Sequence, residues 1–223
     1  AGAVHFGGLD AALFAATNRL EGRTETPRLD AELLMAHALR LSRGEMLLKR
    51  RDLTKPAEFD ALIARRADGE PVAYIRGVQE FWDLTLKVTP DVLIPRADSE
   101  TLIEAAQSLF ADTEPPTKIL DLGTGSGALL LAALSLFPGA EGIGIDASAA
   151  ALAVAKENAF TCGFGKRSAF MHASWREPGW ANTLGPFDLI LCNPPYVEDD
   201  AKLDRSVRAF EPASALFSGS QGL

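Results

Sequence analysis

Residues 118–146 constrain this chain more than any other stretch. Lys118-Ile119-Leu120-Asp121-Leu122 is a short apolar strand that runs into Gly123-Thr124-Gly125-Ser126-Gly127. Residues 128–137 then read as a helix rich in alanine and leucine, stopped by Pro138-Gly139. Glycines at alternate positions let the backbone turn sharply and approach a ligand where a Cβ would clash. A second strand, Glu141-Gly142-Ile143-Gly144-Ile145, ends at Asp146. That acid falls roughly twenty residues past the loop, where a βαβ unit places a carboxylate for ribose hydroxyls.

The pattern Gly-x-Gly-x-x-Gly would favour a dinucleotide with its pyrophosphate on the helix N-terminus. Here the third glycine, Gly127, is at a different spacing, and Asp121 stands two residues before Gly123. A carboxylate there disfavours a pyrophosphate and suits a ligand with positive charge, such as S-adenosylmethionine with its ammonium and sulfonium. The same carboxylate also suits capping of its own loop. At Asp146, charge-assisted hydrogen bonds from ribose hydroxyls are worth about 1.5–3 kcal/mol each.

The apolar run Phe187-Asp188-Leu189-Ile190-Leu191-Cys192 reads as a buried strand, with Cys192 in the core, and Asn193-Pro194-Pro195-Tyr196 comes next at its carboxyl end. Proline fixes φ near −65° and lacks an N–H, so the turn is stiff and the carbonyls of Asn193 and Pro194 aim outward. The Asn193 side-chain oxygen and the Pro194 carbonyl can accept both N–H bonds of a planar –NH₂ group, and Tyr196 can stack on the group they hold. A carboxamide and the amino group of a base both qualify, and Asn-Pro and Pro-Pro also make ordinary strand-ending turns. An amide nitrogen is a poor nucleophile because its lone pair is delocalised. Holding both N–H bonds aims it and stabilises the positive charge that develops on it.

Residues 1–71 predict a small all-helical domain, with helices over 9–20, 30–41 and 57–67. Leu33, Leu34, His37 and Leu41 form one stripe of the second. Glu70-Pro71 ends this domain, and 72–96 reads as a β-hairpin linker, with alternation over 83–88 marking a half-buried strand. A helix over 99–110 is capped by Asp98 or Ser99. Across 97–223 strands and helices alternate, with a helix over 148–162 and a strand near 168–172. Alternation of this kind predicts an α/β fold: a parallel, doubly wound sheet with ligands at the carboxyl ends of its strands. A sheet ending at the Phe187 strand leaves an apolar edge, so further C-terminal strands are expected beyond Leu223.

Asp-Leu-Gly-Thr-Gly-Ser-Gly (121–127) followed by Asn-Pro-Pro-Tyr (193–196) resembles the class I S-adenosylmethionine-dependent amino-methyltransferases. Further motifs resemble the HemK/PrmC family of release factor glutamine methyltransferases. They are Pro27-Arg28-Leu29-Asp30-Ala31-Glu32-Leu33-Leu34, the run 65–77, Glu80-Phe81-Trp82, Val92-Leu93-Ile94-Pro95-Arg96-Ala97-Asp98-Ser99-Glu100, and Phe210-Glu211-Pro212-Ala213-Ser214-Ala215-Leu216. The resemblance implies a Rossmann-like class I methyltransferase domain, preceded by a helical substrate-recognition domain and a hairpin linker. It also implies methylation of the glutamine amide in the Gly-Gly-Gln motif of peptide-chain release factors.

By the same resemblance, residues 123–127 (Gly123, Thr124, Gly125, Ser126 and Gly127) border the methionine part of the cofactor. Asp121 and Asn193 join that site, Asp146 takes the ribose, and Trp175 lies beside the adenine. Asn193, Pro194 and Tyr196 are the implied catalytic residues, with Pro195 added in substrate binding. Phe81 and Arg96 fall near the mouth without an assigned role. Two positions depart from the pattern. Ala97 stands where the family usually has proline, and Ser218-Gly219-Ser220-Gln221-Gly222 replaces a run richer in glycine and aspartate.

Charge bears on the rival reading, a nucleic-acid amino-methyltransferase acting on adenine or guanine. Net charge is −8. Residues 1–71 hold equal numbers of acids and bases, so the whole excess falls on 72–223. Lys49-Arg50-Arg51 and Arg65-Arg66 are the basic clusters, too short for a duplex-binding stripe, so no stable nucleic-acid partner is expected. Two cysteines imply neither a disulfide framework nor a zinc site, and three scattered histidines give no triad. With no apolar run of membrane-spanning length and no signal peptide in 9–20, a soluble cytoplasmic protein is expected. A monomer is a separate expectation. Residues 1–8 read as a flexible end.

Overall fold

The computed structural model describes residues 8–198 and 200–218. The expected flexible end, apart from Gly8, and most of the divergent 218–222 run lie outside them. The chain forms two units: one runs to Arg76 and includes Asp204–Phe210, the other takes Gly77–Leu203 and the chain from Glu211.

The first unit is helical. Its helices are α1 (Gly8–Leu20), α2 (Pro27–Leu39), α3 (Arg43–Lys49), α4 (Phe59–Ala67) and α5 (Val72–Arg76), joined later in the chain by α9 (Arg205–Phe210). Leu9, Leu13, Ala16 and Leu20 recur at helical spacing on α1 and meet Leu34, Met35, Met46, Phe59, Ile63 and Ile75 in one core. Two buried acids are fully paired. Asp30 accepts from the Thr24 and Thr26 hydroxyls and from Arg66, and Glu32 accepts from Arg28 and Arg43.

Three expectations for this unit need correction. The stripe of α2 centres on Ala31, Leu34 and Met35, and His37 is exposed. Helix α3 has no counterpart in the sequence pattern; its seven residues are too few to show a period, and a capping box between Ser42 and Glu45 starts it. Residues 72–76 are helix rather than hairpin. Pro71 opens α5 instead of closing the domain, because its carbonyl accepts from the N–H groups of Tyr74 and Ile75.

The second unit begins with a hairpin, β1 (Val78–Phe81) against β2 (Leu84–Lys87). A single helical turn (Ala97–Ser99) leads into α6 (Glu100–Leu109). Neither Asp98 nor Ser99 caps α6 through its side chain as expected; the Thr101 hydroxyl donates to the Asp98 carbonyl instead. The chain continues through β3 (Lys118–Leu122), α7 (Ala128–Leu136), β4 (Glu141–Asp146), α8 (Ala149–Thr161), β5 (Ser168–His172), β6 (Leu189–Cys192) and α10 (Ala213–Leu216). The sheet is parallel in the order β5-β4-β3-β6.

Helix α7 is apolar on every side and correspondingly buried, since it packs on β3, β4 and α6. Gly142 exists to admit it: a Cβ there would lie 2.4 Å from Leu130 Cδ1. On the opposite face β6 turns Ile190 outward, 57% exposed. Cys192, expected in the core, is exposed beside it. Leu189 and Leu191 point the other way, into the core cluster that α7 shares. The run 187–192 is therefore a strand with one buried face, shorter than expected at its start.

Candidate active site

Register brings the carboxyl ends of three strands together. Leu122 pairs with Ile145 on one side and Cys192 on the other. The glycine loop after β3, Asp146 at the end of β4 and Asn193 after β6 therefore meet at one edge of the sheet. They line one cavity of about 950 Å³, together with Asp121, Gly123, Thr124, Gly125, Ser126, Trp175, Pro194, Pro195 and Tyr196. Gly127 is set back from it at the start of α7, against Ala155 and Leu131.

Backbone conformation explains the loop's composition. Gly123, Gly125 and Gly127 have φ of 74°, 53° and 85°, a region that side chains rarely adopt. The N–H groups of Gly123 and Thr124 both donate to the Ile145 carbonyl, at 2.8 and 2.9 Å. Asp146 fastens the loop from the other strand, accepting from the Gly125 N–H at 2.8 Å and the Ser148 N–H at 2.9 Å. Each carboxylate oxygen keeps capacity for a second donor. Trp175 packs over the loop, with its Cη2 atom 3.4 Å from the position a Cβ of Gly123 would occupy.

Asp121 is fully buried; its Oδ2 accepts from the Thr124 hydroxyl at 2.7 Å, and its Oδ1 has no hydrogen-bond partner among the described residues. Burial pushes its carboxyl up to about 6. The Thr124 hydroxyl and the nearby Leu130 N–H pull the other way, and the charge of Asp146 adds to the rise. Cys192, next to this site, is exposed as a residue, but its thiol is desolvated enough to push its pKa up, and Asp121 pushes the same way. It is a poor nucleophile at neutral pH.

Across the cavity the Asn193 side chain donates from Nδ2 to the Ser99 Oγ at 3.3 Å. Its Oδ1 and the Pro194 carbonyl have no partner among the described residues. Tyr196 is 71% exposed at the rim. Phe81 and Arg96, expected near the mouth, line the same cavity. Two residues take parts that sequence reasoning missed: Ser99, whose position suggests only a helix cap, and Asn158. The buried Asn158 on α8 accepts from the Lys87 N–H at 2.7 Å and donates to the carbonyls of Lys87 and Ser126, at 3.0 and 2.9 Å. It thus ties the glycine loop to the hairpin.

A parallel sheet with a glycine loop, an acid on the next strand and an Asn-Pro-Pro-Tyr turn define a methyltransferase domain. Residues 113–216 match the family model described as a methyltransferase domain, and residues 11–77 match that of the PrmC N-terminal domain. The chain belongs to the release factor glutamine methyltransferase family. It is 44% identical to the release factor glutamine methyltransferase of Rhodospirillum rubrum, over 89% of this chain and 61% of that protein. The Vibrio cholerae protein of the same name is 42% identical over 96% of this chain and 75% of its own length. For the Escherichia coli protein the figures are 39%, 90% and 72%. The chain thus spans less than two thirds of the first of these relatives and about three quarters of the others.

Proposed function

We propose that this protein methylates the side-chain amide nitrogen of the glutamine in the Gly-Gly-Gln motif of peptide-chain release factors, using S-adenosylmethionine. The observation that carries this reading is one cavity holding two things: an unpartnered buried carboxylate oxygen on Asp121, and two unpartnered acceptors at Asn193 Oδ1 and the Pro194 carbonyl.

The cavity fits the cofactor. A buried carboxylate oxygen with no donor suits a cationic group, and the ammonium of S-adenosylmethionine supplies one. Asp121 would hold that ammonium, the glycine loop would border the methionine part, Asp146 would accept from the ribose hydroxyls, and Trp175 would lie beside the adenine. When bound, the cofactor supplies a methyl group already activated on a sulfonium.

The chain's own residues do the aiming. Asn193 Oδ1 and the Pro194 carbonyl accept the two N–H bonds of the substrate amide and turn its nitrogen toward the methyl donor. The two prolines keep those acceptors from moving during the step. Both acceptors oppose the positive charge that develops on nitrogen. Tyr196 packs on the amide plane, and Pro195 shapes the wall beside it. No base is needed before transfer, since the cationic product is acidic enough to lose its proton to water.

The helical unit recognises the release factor, and the protein acts as a cytoplasmic monomer. No helix of the described residues is long and apolar enough to cross a membrane. The test is transfer of labelled methyl to purified release factor beside a Gly-Gly-Ala variant. Label on the first alone supports the reading; label on RNA or DNA with steep salt dependence, and none on the factor, overturns it in favour of a base amino-methyltransferase.

A further inference from the structure

We propose that Glu211 is a positioning residue for methyl transfer, setting the place of the Asn193 amide through the segment 94–99. The proposal rests on the functional reading above. Glu211 lies outside the Asn-Pro-Pro-Tyr motif, and its side chain is only 1% exposed. A carboxylate taken out of water costs several kcal/mol unless it is well paired. It is paired here across more than a hundred residues: Oε2 accepts from the Ile94 N–H at 3.2 Å, and Oε1 accepts from Arg96 Nη2 at 2.5 Å. A hydrophobic contact could hold the two segments together as firmly; an ion pair with a backbone bond also fixes their register.

What the register controls is the loop 193–196. At its start, Asn193 Nδ2 donates to Ser99 Oγ, three residues past Arg96. At its end, the Val197 N–H donates to the Leu216 carbonyl at 3.0 Å, and the Ser218 N–H donates to the Val197 carbonyl at 3.1 Å. Leu216 closes α10, which begins two residues after Glu211. The loop is therefore pinned at one end to the segment that holds Ile94 and Arg96, and at the other to the segment that holds Glu211. Glu211 joins the two and closes a ring of contacts around the loop. Because Pro194 and Pro195 make the loop stiff, a shift at either pin moves Asn193 Oδ1 as a whole. A displacement of about 1 Å at such a group costs about a hundredfold in rate. Ser99 has the second role in the ring: by taking Nδ2, it leaves Oδ1 facing the substrate amide.

The test compares Glu211→Gln, Ser99→Ala, Ser99→Thr and the Glu211→Gln/Ser99→Ala double variant with the wild type. Rate constants are measured with release factor, and cofactor Kd by calorimetry. Glu211→Gln should lower kcat about 10- to 100-fold and leave cofactor Kd within about threefold, because no cofactor contact involves Glu211. Ser99→Ala should lower kcat about tenfold, and Ser99→Thr, which keeps the hydroxyl, should restore it. The double variant should be little worse than the poorer single one, since both changes free the same loop. Multiplicative losses, an unchanged kcat, or a loss of cofactor binding in step with activity would overturn the proposal.

A second readout does not depend on turnover. Hydrogen exchange of the Asn193 side-chain amide, monitored by NMR, should speed up about tenfold in Glu211→Gln as in Ser99→Ala, and an unchanged rate refutes the link. Wild-type protein that transfers no methyl while this exchange behaves as expected would sink the functional reading and spare the positioning one. Should Glu211→Gln not fold, Arg96→Gln breaks the same link and should show the same faster exchange.

Discussion

Replacing Asp121 by asparagine should make the cofactor-free protein more stable at neutral pH while weakening its hold on the cofactor. Burial raises the Asp121 carboxyl from its ordinary 3.8 to about 6. At about 1.4 kcal/mol per pH unit, that difference corresponds to about 3 kcal/mol. The folded-state pKa lies above the unfolded one, so the cost is absent below about pH 4. It grows as pH rises through about 6 and is complete above that. Asparagine cannot ionise and keeps the shape, but it exchanges the charge-assisted bond from Thr124 for a neutral one, a loss of about 1 kcal/mol. The net gain at pH 8 is about 2 kcal/mol, or about 4–8 °C in Tm for a chain of this size.

Differential scanning calorimetry of both proteins at pH 4.5 and pH 8 gives the comparison. The expected result is a gain at pH 8 that largely disappears at pH 4.5, together with cofactor Kd at least tenfold weaker in Asp121→Asn at pH 8. In the wild type, cofactor affinity should also fall as pH drops below about 6, where the free site takes up a proton. A gain of equal size at both pH values would show that shape rather than charge is responsible. A loss of stability at pH 8 would refute the burial argument altogether.

Three further perturbations address the rest of the site. Asn193→Ala should abolish methyl transfer in the labelled-methyl assay yet leave cofactor Kd within a few fold; a large loss of cofactor binding would make Asn193 structural. Asn158→Leu removes one buried hydrogen bond, to Ser126, and two part-buried ones, to Lys87, and should cost about 3 kcal/mol in denaturant unfolding, with weaker cofactor binding as the glycine loop loosens. Gly144→Ala would put a Cβ 2.8 Å from Thr124 Oγ1 and 2.9 Å from Phe170. It should cost about 1–3 kcal/mol, read by thermal melting, and disturb the hydroxyl that Thr124 gives Asp121.

The parts of the site that sequence reveals are those whose chemistry is local. The glycine loop is legible because three left-handed residues in a strand-to-helix turn all but require glycine. Asn193 is legible because Pro194 and Pro195 stiffen the turn that it opens. Short helices are not: α3 has too few residues for a period, although Ser42 and Glu45 three apart are its visible signal. Pro71 misleads because proline marks a helix start as readily as an end. His37 and Cys192 fit apolar patterns, yet each lies exposed, since a pattern does not tell which face of an element is covered. The bonds between Asn193 and Ser99, 94 residues apart, and between Glu211 and Ile94, 117 apart, depend on tertiary approach alone. No spacing rule reaches that far.

Tandem mass spectrometry of release factor, after incubation with the protein and S-adenosylmethionine, reads both the transferred group and its position. One added methyl group is expected, located on the glutamine amide of the Gly-Gly-Gln peptide and absent when Asn193→Ala replaces the wild type. A methyl group on any other residue of that peptide, or the same product from Asn193→Ala, would rule out amide methylation aimed by Asn193.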